Sequence, residues 1–259
     1  MTSSDPSTHL HLSVIIPAYN EALRILPYLQ AITVYLDRRG LSCEILVVDD
    51  GSQDDTAVAV ERVAAHNRHI RLIRLPRNSG KGAAVRAGIQ AAQGELQLFA
   101  DADGATPIQE LERLEAAMKN GADLAIGSRT LASRDSRYRV RARLHRTVLG
   151  NLFNRIVRLL GIRDINDTQC GFKLFRQSVA QDLFSVARID GYGFDLELLY
   201  VAQRRGYRIA EVPINWTDQP GSKVRVLRDG LAMLRELLAV RRNNARGLYA
   251  ARQRFPVSG

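Results

Sequence analysis

The chain has 259 residues, a net charge of +10 and 46% hydrophobic residues. This length and composition are typical of one large α/β domain or two smaller ones, and they exclude an intrinsically disordered chain. The two cysteines, Cys43 and Cys170, lie far apart, which argues against a disulfide framework or a zinc site. The polar first eleven residues lack the features of a signal peptide, and no apolar run approaches the roughly 20 residues that span a bilayer. We therefore expect a disordered tail over 1–11 and a cytoplasmic protein.

Strand-like and helix-like patterns alternate through the first half of the chain. Short apolar, β-branched runs predict strands over 12–16, 43–48, 70–75, 95–100 and 122–126. Helical spacing of apolar residues predicts helices over 21–39, 54–66, 80–93 and 107–119. Repeated units of this kind predict a Rossmann-like, mostly parallel sheet with helices on both faces.

Polar residues are concentrated directly after four of the predicted strands. These stretches are residues 17–21, 49–52, 77–82 and 101–103. Because the carboxyl ends of parallel strands meet at one edge of a sheet, we expect the four loops to lie close together there. That edge is where ligands bind in open α/β sheets, so the pattern predicts a ligand site.

Asp101 and Asp103 lie one residue apart, between an apolar strand and Gly104. Such a pair is typical of a surface turn, but it also suits Mg²⁺, which takes one or two carboxylates and completes its octahedron with phosphate oxygens and water. The three neighbouring loops favour the metal site. The sequence therefore predicts a divalent cation bound to a diphosphate at this edge.

The glycine-rich stretch around Lys81 fits neither a Walker A loop nor a dinucleotide-binding loop. Gly80 and Gly82 at a helix start are expected to let backbone N–H groups approach an anion. Asp49 and Asp50 are either a cap and turn or ligands for a base or ribose, and the cluster of loops favours the second interpretation.

Most of the positive charge lies in two late segments. Residues 134–163 carry a net charge of +8, and residues 223–254 carry +7. Apolar residues at helical spacing within 134–160 and 224–240 predict two basic amphipathic helices, which either lie in a membrane interface or pack on the sheet. No nucleic-acid recognition motif is present, so we expect a membrane surface and no nucleic acid as partner. Nothing in the sequence indicates an oligomeric state.

The motifs over 14–21, 47–56, 78–82 and 101–104 together strongly resemble glycosyltransferase family 2. The resemblance implies a GT-A fold, a nucleotide-sugar donor and Mg²⁺ or Mn²⁺. It places the metal and the diphosphate on Asp101 and Asp103. The nucleotide-binding residues that it implies are Pro17, Tyr19, Glu21, Asp49, Asp50, Lys81 and Asp101.

The second half is similar to the polyprenyl-phosphate branch of that family, through residues 127–129, 167–173, 193–197 and 212–223. Within the branch, 101–106 is most similar to the dolichyl-phosphate glucosyltransferases. Related mannosyltransferases usually carry Gln where this chain has Ala105. The resemblance therefore implies inverting transfer of a hexose, with UDP-glucose favoured as donor, to a polyprenyl monophosphate on the cytoplasmic face of a membrane.

The expected reaction assigns roles to several further residues. Asp103, Arg129 and Asp195 are the expected catalytic residues. Asp195 and Glu197 are expected to bind sugar hydroxyls, although both also fit simple helix N-terminal charges. The residues expected to hold the acceptor phosphate or lipid are Arg129, Arg139, Arg141 and Lys223.

A single domain is expected over 12–245, with a nucleotide-sugar half over 12–129, an acceptor and membrane half over 130–245, and a basic tail over 246–259. The alternatives within the family are a GDP-mannose or UDP-N-acetylhexosamine donor and a polysaccharide acceptor. A sugar-phosphate nucleotidylyltransferase is the alternative from another enzyme class.

Overall fold

The computed structural model describes residues 10–141, 161–219 and 226–250, without the side chains of 226–231. Within these ranges the strands are β1 (Leu12–Ala18), β2 (Cys43–Asp49), β3 (Ile70–Arg74), β4 (Leu96–Ala100), β5 (Leu124–Ser128), β6 (Val140–Arg141), β7 (Phe172–Arg176), β8 (Ile209–Pro213) and β9 (Trp216–Thr217). The helices are α1 (Ile25–Arg39), α2 (Thr56–Ala64), α3 (Lys81–Ala91), α4 (Leu111–Lys119), α5 (Arg129–Ala132), α6 (Gln177–Val186), α7 (Phe194–Arg204) and α8 (Val226–Ala245).

Seven strands of the described ranges form one sheet in the order β3-β2-β1-β4-β7-β5-β8. Only β7 runs antiparallel to its neighbours, and the other neighbours in this sheet pair in parallel. Because β4 and β5 both oppose β7, the remaining six strands end at the same edge. The predicted mostly parallel sheet is confirmed. β6 and β9 form a separate parallel pair.

Helices cover both faces of this sheet, as the apolar strands predict. Adjacent residues of a strand point to opposite faces, and in β1 Ile15 and Ile16 belong to different hydrophobic clusters. The Ile15 cluster contains residues of α3, α6, α7 and α8. The Ile16 cluster contains residues of α1, α2 and α4. All seven residues of β1 are buried, which fits a central strand.

The first helix begins at Ile25, four residues later than the sequence predicts. Asn20 has a φ of +53°, a left-handed conformation that asparagine adopts more readily than most residues. The amide of Glu21 donates to Thr56 Oγ1, which fastens the chain to the start of α2. Residues 19–22 are therefore a loop at the carboxyl edge of the sheet. The helix ends as predicted, with Gly40 at a φ of +60°.

The basic helix predicted over 134–160 is wrong over 134–141. The short helix α5 precedes that stretch, and Val140 and Arg141 form β6, whose partners in β9 are Trp216 and Thr217. Apolar residues at helical spacing do not exclude a strand, and here pairing with a segment 76 residues away determines the structure. The remainder of the prediction, over 142–160, lies outside the described residues.

The second basic segment is a helix, α8, and its described apolar side chains pack mainly on the domain. Met233, Leu237 and Val240 are buried, and Leu237 and Val240 belong to the hydrophobic cluster that contains Ile15. Leu238 is 57% exposed. This favours the packed interpretation over an apolar face lying in a membrane. In the part of the chain that the structure describes, no helix has the length and apolarity to cross a bilayer.

The folded domain continues past residue 245, where the sequence places the start of a basic tail. Tyr249 is buried, and its hydroxyl donates to Glu197. Arg205 donates to the carbonyl oxygens of Tyr249 and Ala250. Residues 246–250 are therefore part of the domain.

Two neighbouring leucines of α8 test this packing. Leu237→Ala removes a fully buried side chain, and we expect the free energy of unfolding to fall by about 2–5 kcal/mol. Leu238→Ala changes an exposed position, and we expect a change within about 0.5 kcal/mol. Urea denaturation of the two purified variants measures both values, and equal losses would contradict the orientation of α8.

Candidate active site

The carboxyl edge of the sheet gathers the predicted loops. The amide of Asn20 in the first loop donates to Ser52 Oγ in the second at 2.9 Å. The second loop is joined to the third through Asp50, whose two carboxylate oxygens accept the amides of Ser79 and Gly80 at 2.7 and 2.9 Å. The three loops are thus connected by hydrogen bonds between side chains and backbone amides.

Asp50 is almost fully buried, and burial raises the pKa of its carboxyl despite the two amides. Since both oxygens already accept backbone amides, the geometry favours a loop-holding position for Asp50. Asp49 is also buried, and its Oδ1 accepts the amide of Ser52 at 3.0 Å. Its Oδ2 has no hydrogen-bond partner in the described part of the chain, and the nearest cation is Arg74 Nε at 3.6 Å. Of the two carboxylates, Asp49 is therefore the one with an oxygen that accepts no hydrogen bond in the described chain, and that oxygen is buried beside Arg74.

Asp101 lies at the end of β4, with its backbone amide donating to the carbonyl oxygen of Gly171 at 3.0 Å. A side chain at position 171 would collide with the Asp101 carboxylate, since a Cβ there would lie 1.9 Å from Oδ2. Asp103 Oδ1 accepts the amide of Ala105 at 3.0 Å. This bond closes the turn at Gly104, whose φ is +67°.

These two carboxylates fit a divalent cation. Burial and the nearby charge of Asp101 raise the pKa of Asp103, so negative charge is in excess at this turn. Among the described residues, no group of three or more acidic, His or Cys side chains is arranged to hold a metal ion. Two carboxylates are nevertheless the usual protein share for Mg²⁺ bound to a nucleotide, since phosphate and water supply the other ligands.

Lys81 supplies the positive charge at the same point. Its Nζ lies 2.6 Å from Asp101 Oδ1, and it also lies 5.3 Å from the ring centre of Phe99 and 5.9 Å from that of Tyr192. Burial alone would lower the pKa of Lys81, but the charges of Asp101 and Asp195 outweigh it and raise the pKa. The ammonium is therefore charged at neutral pH.

The expectation that the start of α3 presents free backbone N–H groups to an anion is wrong for Gly82 and Ala83. The amides of Gly82 and Ala83 both donate to the carbonyl oxygen of Asp190, at 2.7 and 3.3 Å. A Cβ at Gly82 would lie 2.4 Å from the carbonyl oxygen of Ile189. Gly82 therefore allows close approach of the 189–190 backbone rather than of a phosphate.

The sequence analysis missed Lys173, which is completely buried in β7. Its Nζ donates to Asp195 Oδ1 at 2.6 Å and to the carbonyl oxygen of Cys170 at 2.7 Å. In the register of the sheet Lys173 faces Phe99 of β4, and its Nζ lies 5.9 Å from the ring centre. Burial raises the pKa of Asp195, and the charges of Lys173 and Lys81 act against that rise. Two signals in the sequence could have found it: Lys173 ends the 167–173 motif, and it is a lysine within a run of apolar residues.

Glu197, expected to bind a sugar hydroxyl, is fully enclosed by its own protein. Its carboxylate accepts the backbone amides of Arg188 and Ile189 at 2.9 Å and the hydroxyl of Tyr249. A sugar hydroxyl would have to displace one of these donors. The geometry favours a structural position that holds the loop before α7.

Arg129 forms a two-point ion pair with Asp167, with Nε and Nη2 each 2.7 Å from a carboxylate oxygen. Asp167 is itself held by its amide, which donates to Glu211 at 2.8 Å. The guanidinium carbon of Arg129 lies 5.3 Å from the ring centre of Trp216. Burial would lower the pKa of Arg129, but the charge of Asp167 outweighs it and raises the pKa, with a smaller contribution from Asp101 in the Asp101–Asp103 turn.

The other predicted residues are distributed around this centre. Pro17 is buried in β1 beside Val48, and Tyr19 follows it half-buried in the loop. The carboxylate of Glu21 accepts two hydrogen bonds from the guanidinium of Arg24, from Nη2 at 2.6 Å and from Nε at 2.7 Å. Arg24 was not predicted, and its charge also acts on Asp103.

Arg139 and Arg141 are exposed at the β6–β9 pair. Their carbonyl oxygens accept the amides of Trp216 and Asp218 at 3.0 and 2.9 Å, so the backbone at both arginines is fixed. This pair places both arginines on the segment next to the one that carries Trp216, the neighbour of Arg129. Lys223 lies outside the described residues.

The fold and this edge define an α/β protein with a candidate site for a divalent cation and a phosphate-bearing ligand. The model of glycosyl transferase family 2 matches residues 13–184. A dolichyl-phosphate beta-glucosyltransferase of Trichomonas vaginalis is 40% identical over 229 residues, covering 85% of this chain and 67% of that protein. The one from Homo sapiens is 38% identical over 256 residues, covering 93% and 78%. The chain therefore belongs to glycosyltransferase family 2, and it is a glycosyltransferase.

Solved structures agree with this fold. Mannosyl-3-phosphoglycerate synthase from Rubrobacter xylanophilus is similar with a TM-score of 0.67 at 20% identity, covering 96% of this chain and 79% of that one. Glucosyl-3-phosphoglycerate synthase from Mycobacterium tuberculosis, crystallised with Mn²⁺ and UDP-glucose, has a TM-score of 0.61 at 20% identity, covering 89% and 77%. The predicted GT-A architecture is confirmed.

The Lys173–Asp195 pair allows a test of the buried charges. Lys173→Met leaves the Asp195 carboxylate buried without its partner, and we expect the free energy of unfolding to fall by about 3–5 kcal/mol. Adding Asp195→Asn removes the orphaned charge and is expected to recover part of that loss. Urea denaturation measures both variants.

Arg137→Met is the matched control, because it breaks an ion pair with Asp135 on the surface. We expect no measurable shift of its unfolding midpoint. If Lys173→Met also shifts nothing, or if the double variant is as unstable as the single one, the buried pair does not stabilise the site.

Proposed function

We propose that this glycosyltransferase transfers glucose from UDP-glucose to a polyprenyl monophosphate of the dolichyl type, with inversion at the anomeric carbon. The observation that carries the proposal is the similarity to dolichyl-phosphate beta-glucosyltransferases, at 36–40% identity over 84–95% of this chain for the protozoan, fly, yeast, human and slime-mould proteins.

The donor site in this proposal is built around the Asp101–Asp103 turn. These two carboxylates hold Mg²⁺ or Mn²⁺, and the metal, when bound, neutralises charge on the leaving diphosphate. Lys81 faces the same carboxylate and supplies a further cation for the phosphates. The nucleoside lies toward Tyr19 and Asp49, with Pro17 and Glu21 forming the loop beside them. Asp49 is favoured over Asp50 because its Oδ2 accepts no hydrogen bond in the described chain and is held by the ion pair with Arg74 at 3.6 Å.

Ala105 is the residue that favours glucose over mannose. The related mannosyltransferases carry Gln at this position as a further metal contact, and alanine cannot provide one. Ala105 is buried, and its carbonyl oxygen accepts the amide of Thr217 at 2.9 Å, so the turn is fixed to β9. GDP-mannose and a UDP-N-acetylhexosamine remain the alternative donors, and the donor screen below compares them with UDP-glucose.

The acceptor supplies its own nucleophile in this proposal. A phosphate monoester has a second pKa of about 6 and is largely dianionic at neutral pH, so the transfer does not need a carboxylate as general base. Arg129 binds the acceptor phosphate with the part of its guanidinium that Asp167 leaves free, and the ion pair fixes its orientation. Asp195 orients sugar hydroxyls, while Glu197 holds the loop that precedes α7. Positioning and charge compensation then account for most of the catalysis.

The membrane-facing part of the proposal rests on Arg139 and Arg141. Both are exposed and lie on the segment paired with Trp216, next to the acceptor arginine. Exposed arginines at that point attract anionic head groups and the phosphate of a lipid acceptor. The protein would then act as a peripheral enzyme at the cytoplasmic face of a membrane.

A donor screen with the purified protein tests the activity. We expect lipid-linked radioactivity from UDP-[¹⁴C]glucose with polyprenyl phosphate, dependent on Mg²⁺ or Mn²⁺, at a rate at least about tenfold above that from GDP-mannose or UDP-N-acetylglucosamine. A higher rate with GDP-mannose would overturn the assignment of the donor. Release of pyrophosphate from UTP and glucose 1-phosphate would support the nucleotidylyltransferase instead.

The same assay shows whether the exposed arginines Arg139 and Arg141 act on the membrane surface or on the acceptor phosphate. The variant Arg139→Glu, Arg141→Glu is expected to lose transfer to polyprenyl phosphate embedded in anionic vesicles, and to keep transfer to a short, water-soluble prenyl phosphate. Arg137→Glu, a charge reversal nearby on the surface, is the matched control. Equal activity of the double variant and the control on vesicles would contradict the membrane role, and loss on both acceptors would assign the arginines to the phosphate itself.

A further inference from the structure

We propose that Lys81 is a resident counterion of Asp101, which occupies the metal-binding carboxylate until a nucleoside diphosphate draws the ammonium away. This deepens the proposed function and rests on the donor site described there. Its consequence is that the protein binds a divalent cation weakly by itself and tightly only together with the nucleotide.

The first observation is the short ion pair at the metal-binding turn. Lys81 Nζ lies 2.6 Å from Asp101 Oδ1, and neither side chain is fully enclosed. Gly171 packs against the same carboxylate, since a Cβ at position 171 would lie 1.9 Å from Asp101 Oδ2. A cation that approaches the two carboxylates therefore meets an ammonium already bound to one of them.

The second observation is that other groups of the site attract the ammonium besides Asp101. The faces of Phe99 and Tyr192 lie 5.3 and 5.9 Å from Nζ, and aromatic faces attract cations. The charge of Asp195 also acts on Lys81. Lys81 can therefore release Asp101 while it remains within the site, where a diphosphate would accept its hydrogen bonds.

Competition follows from elementary electrostatics. A divalent cation and an ammonium bound to the same carboxylate repel each other across a few ångströms, so one weakens the binding of the other. A diphosphate carries the negative charge that lets both cations stay. By linkage, the factor by which nucleotide tightens metal binding equals the factor by which metal tightens nucleotide binding. Lys81 increases this coupling between metal and nucleotide, because its charge weakens metal binding when no nucleotide is present.

An ordinary structural ion pair makes the opposite prediction. If Lys81 only stabilised the loop, its removal would disorder Asp101 and weaken the binding of metal alone. If Lys81 competes with the metal, its removal tightens that binding. The sign of the change therefore separates the two roles.

The test is a titration with Mn²⁺ alone, followed by electron paramagnetic resonance of the free ion, on the wild-type protein and on Lys81→Met. We expect the variant to bind Mn²⁺ at least about tenfold more tightly than the wild type, the effect of removing one like charge a few ångströms from a divalent cation. Calorimetry with UDP in the presence of saturating Mn²⁺ is expected to show weaker nucleotide binding by the variant, because the phosphates lose a cation.

Three further variants complete the experiment. Lys81→Arg keeps the charge and is expected to keep the weak binding of Mn²⁺, and Lys119→Met, at the end of α4, is expected to change neither titration. Lys81→Gln replaces the methionine variant if that one does not fold. Unchanged or weaker Mn²⁺ binding by the uncharged variants would overturn the proposal.

The result is independent of the donor screen. If glucose transfer fails while Lys81→Met still tightens Mn²⁺ binding, the assignment of the substrate is wrong and the counterion role stands. If the wild type does not bind UDP even with Mn²⁺, the donor site fails and the counterion proposal is overturned with it.

Discussion

The site depends on two ion pairs that share one aromatic ring. Lys81 pairs with Asp101, Lys173 pairs with Asp195, and both ammonium groups lie within 6 Å of the ring centre of Phe99. Charges that are removed from water are costly unless they are paired, so each carboxylate fixes the position of a lysine and each lysine fixes a carboxylate. The first pair lies within residues 12–129 and the second within residues 130–245, and the ring of Phe99 in β4 brings the two pairs together at the carboxyl edge. The alternating charges leave the Asp101–Asp103 turn as the place where a further cation is most favourable.

Acidic residues around this edge divide into two groups by what their oxygens contact. Asp50, Glu197 and Glu236 accept backbone amides and hold loops, with Glu236 taking the amide of Gly193 at 2.7 Å. Asp101 pairs with the ammonium of Lys81, while Asp103 and Asp49 each accept a single backbone amide through Oδ1, which leaves the second oxygen of each outside that bond. The first group makes the edge rigid, and the second group remains for ligands. A rigid frame around a few available oxygens is what the positioning of a sugar nucleotide requires.

The strands, their parallel order and the meeting of four loops at one edge were predictable, because buried strands have a strong apolar pattern and parallel strands end together. The location of Asp101 and Asp103 at this edge was predictable for the same reason. Lys173 was not, since a lysine within an apolar strand gives no sign of the carboxylate that will reach it from α7. The helix predicted at 134–141 was wrong because the spacing of apolar residues does not reveal pairing with β9. The sequence also could not show that Asp50, rather than Asp49, holds the third loop, because this depends on where the backbone amides of Ser79 and Gly80 lie.

The proposed chemistry depends on Asp101 and Asp103 forming a metal-dependent diphosphate site. Calorimetric titration with UDP, with and without Mn²⁺, tests it most directly on the wild type, on Asp103→Ala and on the surface control Asp135→Ala. We expect Mn²⁺ to tighten UDP binding at least about tenfold in the wild type and in the control, and to have little effect in Asp103→Ala. UDP binding by Asp103→Ala that keeps the full enhancement by Mn²⁺ would contradict the claim.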